Sequence, residues 1–142
     1  MLRDIPANIS PELMKTMMEM GHSDFLVITD ANFPAAAKAK RLIRADGIEI
    51  PELLKSILRF FPLDGFVSHP VKLMEPLPSE PTPEIWKVYF DIISQYDVEH
   101  NFKEFELIER LKFYDYSETA FAVVPTGTSA RYANIILQKG VV

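Results

Sequence analysis

An imidazole and a carboxylate bracket one apolar run in this 142-residue chain: His22 follows Met20-Gly21, and Asp30 stands where Phe25-Leu26-Val27-Ile28-Thr29 stops. A short, continuously apolar run reads as a strand covered on both faces. In open α/β sheets, ligands sit beyond the carboxyl ends of strands, so an acid at a strand exit with an imidazole nearby marks a candidate site. A structural reading stands beside it, with His22 as a helix-terminal histidine favoured by the helix dipole and Asp30 as a turn former. The other end of the chain adds Arg110, Tyr132 and Asn134. Together the five suit a neutral polyol, because carboxylate, amide and guanidinium groups grip vicinal hydroxyls while imidazole and phenol exchange protons. Spacing alone does not bring residue 22 next to residue 132.

Other chemistries find little support. The chain has no cysteine, which removes disulfides and thiolate chemistry and fits a reducing compartment. His22, His69 and His100 have no metal-ligand spacing, so no metal is expected. Serines 23, 68 and 129 lack a nucleophile elbow, and no dinucleotide fingerprint follows the first strand. Thr126-Gly127-Thr128-Ser129 offers at most a small anion nest. A net charge of −5 with interspersed signs argues against nucleic-acid and membrane partners, and no run resembles a signal peptide or a membrane span. The expectation is a soluble, cytoplasmic protein without a cofactor.

The elements that must position these residues are legible in outline. Ser10 and Pro11 open a helix over 10–21 with a methionine-rich stripe, read as core, and Gly21 as its stop. A short helix starts at Pro34, and Leu42 to Gly47 form a brief strand and turn. Pro51 opens a helix whose face carries Leu53, Leu54, Ile57, Leu58 and Phe61. Phe66 to Met74 reads as a strand that Pro70 places at an edge or bulge. Residues 75–83 hold four prolines and form an extended connection. A helix over 83–96 puts Trp86 and Tyr89 on a packing face, with a sugar-lining role as the second reading. Phe105 to Arg110 passes from strand to helix through Tyr114, and Ala120 to Val124 and Asn134 to Gly140 are strands. His69 is assigned to the surface. The pattern predicts one α/β domain over 1–142: three layers, with a mixed β-sheet between helices.

Several motifs in order carry a family resemblance: Ile9-Ser10-Pro11-Glu12-Leu13, Met20-Gly21-His22, Asp30-Ala31-Asn32-Phe33-Pro34, Ile43-Arg44-Ala45-Asp46-Gly47, Phe113-Tyr114 and Tyr132-Ala133-Asn134-Ile135-Ile136-Leu137 with Gly140-Val141. The chain resembles the fucose mutarotases and their relative D-ribose pyranase nearly end to end, and the fucose branch more closely. The resemblance implies that His22 is the catalytic acid and that Asp30, Arg110, Tyr132, Ala133 and Asn134 bind a monosaccharide. It also implies a homo-oligomer, commonly a ring-like decamer, with sites near subunit contacts and no cofactor. On that basis His22 donates to the ring oxygen, Asp30 partners the imidazole, and Tyr132 relays a proton at the anomeric hydroxyl. Ribose ring-form interconversion and non-catalytic sugar binding are the alternatives. Ala133 stands where fucose-type members often have glycine, which leaves the sugar preference open.

Overall fold

The computed structural model describes all residues from Met1 to Val142. Ten elements follow in order: α1 (Pro11–Glu19), β1 (Phe25–Thr29), α2 (Ala35–Lys38), α3 (Ile50–Leu58), β2 (Val71–Met74), α4 (Ile85–Tyr96), β3 (Glu106–Ile108), α5 (Arg110–Thr119), β4 (Ala122–Pro125) and β5 (Ile135–Gln138). The strands form one sheet in the order β3-β2-β5-β1-β4. β1 pairs parallel with β4 and β2 with β3, while β5 runs antiparallel between β1 and β2. No helix is long and apolar enough to cross a membrane.

Because successive side chains alternate across a strand, β1, β2, β4 and β5 each feed two cores, while β3 contributes only Ile108. Leu26, Ile28, Leu73, Val124 and Leu137 face a larger core closed by α1, α3 and α4. Val27, Met74, Val123 and Ile136 face a smaller one, where Phe33, Ala35 and Phe113 come from α2, α5 and the turn before α2. The predicted three layers and mixed sheet are therefore present. Helices on both faces are also why the strands read as unbroken apolar runs.

Local signals set the helix starts. The Ser10 hydroxyl accepts the Leu13 amide of α1, and the Glu109 carboxylate accepts the Leu111 and Lys112 amides of α5. Helix α1 stops at Glu19, capped by Met20 in extended backbone rather than by Gly21. Met17 and Met20 join the core, whereas Met18 is exposed. Residues 42–47 make only isolated bridges, from Leu42 to Val123 in β4 and from Ala45 to Thr126 just beyond it.

β2 departs from expectation. It spans only Val71–Met74 and lies between β5 and β3, not at an edge. Pro70 just precedes it, where its missing N–H breaks no ladder bond and its carbonyl accepts the Gln138 amide at 2.8 Å. The Thr126–Ser129 turn is not an anion nest. Its Gly127 amide donates to Ile48, and the Thr128 hydroxyl accepts the Ile50 amide while donating to Glu49.

Close approach decides the end of β5. The Gly140 amide donates to the Pro62 carbonyl, and a Cβ there would lie 2.8 Å from the Leu63 carbonyl carbon and 2.9 Å from Asp64 Cα. Gly140→Ala is expected to destabilise the fold by about 1–3 kcal/mol through overpacking. The midpoint of urea unfolding checks this, and an unchanged midpoint would show that the 62–64 turn yields freely.

Candidate active site

The topology brings the carboxyl ends of β1, β2, β3 and β4 and the amino end of β5 to one edge. Asp30 follows β1, and Asn134 precedes β5, its antiparallel neighbour. The Asp30 amide donates to Asn134 Oδ1 at 2.8 Å, and Asp30 Oδ1 accepts the Asn32 amide at 2.9 Å. Asp30 is buried, 7% exposed. Burial pushes its carboxyl above the ordinary range, against hydrogen bonds from the Asn32 and Phe33 backbone and the Asn134 side chain.

These groups line a cavity of about 270 Å³, together with Arg131. Phe33, Met74, Tyr114 and Tyr132 also line it. A lining that combines polar and apolar groups suits a molecule with both hydroxyls and hydrocarbon to bury. A larger groove of about 860 Å³ between the N-terminal segment and α1 is mostly apolar, and Lys15 and Glu19 on its rim face each other at 3.7 Å.

Tyr132 adopts φ +54°, a left-handed conformation uncommon for a residue with a Cβ. Its hydroxyl accepts the Leu77 amide at 3.5 Å, and Arg131 pairs with Glu80 at 2.7 Å, so the proline-rich connection runs past the cavity mouth. Ala133 is fully buried, its methyl in the larger core rather than in the cavity, and its carbonyl is taken by the Tyr89 hydroxyl. Trp86 and Tyr89 pack, as expected, and line no part of the cavity. Arg110 opens α5 at the same edge and is exposed, with its guanidinium 5.7 Å from the Tyr114 ring.

His22 lies elsewhere. It precedes β1 while Asp30 follows it, and the five residues of β1 separate the two by roughly 17 Å at about 3.3 Å per residue. Its partner is therefore not Asp30. His22 Nε2 lies 3.1 Å from Oδ1 of Asp64, which is fully buried while the His22 side chain is 42% exposed. A carboxylate only accepts, so it holds the proton on Nε2 and leaves Nδ1 free for chemistry. Asp64 also accepts the Phe66 amide at 2.9 Å, the Gln138 side chain at 3.1 Å and the Ser23 hydroxyl at 3.4 Å. Burial alone would raise this carboxyl, but the hydrogen bonds from Phe66, His22 and Ser23 outweigh it and hold it below the usual range. The exposed Phe66 ring stands 5.3 Å from the imidazole. His69 is a partly exposed surface histidine 3.1 Å from Glu104.

Of the five residues singled out in the sequence, Asp30, Tyr132 and Asn134 share the cavity. Arg110 stands beside it, and His22 occupies the opposite end of the sheet within an Asp64 dyad. Sequence reasoning missed Asp64, Tyr114 and Arg131. Leu63-Asp64-Gly65 reads as an ordinary turn, and only the burial of its carboxylate separates it from one.

A family model described as "RbsD / FucU transport protein family" matches residues 3–142. The fucose mutarotase of Mus musculus is 43% identical, over 98% of this chain and 94% of its own length. The L-fucose mutarotase of Actinobacillus pleuropneumoniae serotype 5b (strain L20) is 43% identical, over 99% of this chain and 97% of its own. The crystal structure of the fucose mutarotase from Streptococcus pneumoniae, in complex with L-fucose, superposes with a TM-score of 0.93 at 46% identity, covering 99% of both chains. With the fold, the order of motifs and nearly the whole length in agreement, the chain belongs to the RbsD / FucU family.

Proposed function

We propose that this protein is a mutarotase, an isomerase that interconverts the α and β anomers of L-fucose without a cofactor. The observation that carries the reading is the cavity itself, which the Asp30 carboxyl, the Asn134 amide and the Tyr132 phenol line together with apolar groups. The polar groups suit vicinal hydroxyls, and the apolar ones suit the methyl of a 6-deoxy sugar. Similarity to fucose mutarotases, one of them solved with L-fucose, supports the same substrate.

Anomer exchange requires the hemiacetal to open and close again on the other face. A proton goes onto the ring oxygen, the bond from that oxygen to the anomeric carbon breaks, and the anomeric hydroxyl loses its proton as the aldehyde forms. In this reading the imidazolium form of His22 supplies the first proton from Nδ1, its ring held in place through Nε2 by Asp64. Tyr132 accepts the anomeric proton while passing its own to water, and closure reverses each transfer. Asp30 and Asn134 hold hydroxyls, Arg110 orients them from the edge, and the Ala133 backbone shapes the pocket.

The length of β1 separates His22 from the Tyr132 of its own chain, so the dyad serves a sugar held by a neighbouring subunit. The active form is accordingly a homo-oligomer with shared sites, for which a decameric ring is one closed arrangement. An acidic, cysteine-free chain fits the cytoplasm.

Magnetisation transfer between the α and β anomeric protons of L-fucose tests the activity, with D-ribose as a second arm. Accelerated exchange of fucose is expected. Acceleration of ribose alone would reassign the substrate. Sugar binding without acceleration of either would make the protein a binding protein.

A further inference from the structure

Trp86 and Tyr89 lie three residues apart on the buried face of α4, at 9% and 0% exposure. Neither reaches the cavity, yet each commits its one polar atom to the segment that carries Tyr132. Trp86 Nε1 donates to the Tyr132 carbonyl at 2.9 Å, and the Tyr89 hydroxyl donates to the Ala133 carbonyl at 2.7 Å. An indole N–H can only donate. The Tyr89 phenol does the same here, since burial and the nearby carboxylates of Asp30 and Glu49 suppress its ionisation.

Two consecutive carbonyls held in this way fix two consecutive peptide planes, and so both torsions of Ala133 and the place of the Tyr132 Cα, which lies in the first of those planes. Tyr132 itself lies in the left-handed region. An L-residue left to itself relaxes out of that region, which would swing its Cβ and move the phenol away from the cavity. Packing alone asks for apolar bulk at positions 86 and 89. It does not ask for donors aimed at successive carbonyls of the same segment.

We infer that Trp86 and Tyr89 are positioning residues for the reaction, clamping the backbone of Tyr132 and Ala133 so that the Tyr132 phenol meets the anomeric oxygen. This rests on the role given to Tyr132 above.

Trp86→Phe and Tyr89→Phe remove the donors and keep rings in the core. For each, the rate constant of fucose exchange at saturation, the fucose KM and the melting temperature are measured on the assembled protein, singly and combined with Tyr132→Phe. The expected result is a fall in kcat of about tenfold for each donor variant, since small misplacements are costly in catalysis. KM stays within about twofold. In the Tyr132→Phe background neither substitution lowers kcat further, because the group they aim is gone. Should one variant fail to fold, the other carries the same comparison. A lowered melting temperature with unchanged kcat would overturn the inference, as would losses that multiply with that of Tyr132→Phe. Wild-type exchange in Tyr132→Phe alone would overturn the role of Tyr132, and the clamp's catalytic meaning with it.

Discussion

His22→Ala is expected to lower fucose exchange by about 10²–10⁴-fold, the usual contribution of a general acid. Fucose affinity should stay within a few-fold and the melting temperature close to wild type. The reasons are local: the imidazole is partly exposed, it makes one side-chain hydrogen bond, and it lies far from the Asp30 cavity. A sharper consequence comes from the length of β1. If His22 serves a neighbour's sugar, His22→Ala and Tyr132→Phe damage different halves of each site, and subunits carrying the two changes can complement. Equal mixtures, dissociated and reassembled, should regain about one quarter of wild-type exchange, since roughly one interface in four then joins an intact His22 to an intact Tyr132. NMR exchange on the reassembled mixture measures this. Activity no higher than the average of the two parents would eliminate the shared site.

Asp30→Asn should separate stability from function. The carboxyl lines the cavity, and in the proposed site it accepts sugar hydroxyls, so its loss should weaken fucose binding about 10- to 100-fold. Stability should move the other way. Burial raises the folded-state pKa of Asp30 above its unfolded value, so the folded protein resists the charge. Below the unfolded pKa of about 4 the group is neutral in both states and contributes no difference. As pH rises through the folded value the unfolded state is favoured, and the penalty is complete above it. Asparagine removes the charge and can still accept the Asn32 amide through its side-chain oxygen. Its gain in stability should be present at pH 7 and absent near pH 3. Chemical denaturation at the two pH values, with calorimetric fucose titration, checks both halves. A destabilised variant at pH 7 would mean that the ionised carboxylate is held favourably.

Much of the architecture was legible because layered α/β folds announce themselves through continuous apolar strands and amphipathic helices. β1 and α3 follow their periodicity closely. The signal weakened where a local rule met a tertiary pairing. Pro70 pointed to an edge, yet the ladder of β2 begins one residue later and is flanked on both sides. Helix α5 runs on to Thr119, beyond any regular apolar repeat, with only Phe113 and Ser117 buried. Trp86 and Tyr89 read as packing residues, as they are, but nothing in their spacing revealed which carbonyls their polar atoms would seek.

The sequence by itself determined the layers, the chemistry available and its distribution: Asp30 at a strand exit, Asn134 at a strand entry, and a histidine where β1 begins. Types and local spacing suffice for that, because helix and strand periods are properties of neighbouring residues. The tertiary structure alone decided which groups meet. β5 inserted antiparallel beside β1 joins Asp30 to Asn134 across 104 positions of chain, and the turn after Phe61 returns Asp64 to His22 across 42. Long-range pairing is set by how sheets and cores close, a choice that no local window contains, and the same closure puts the dyad and the phenol at opposite ends of one strand.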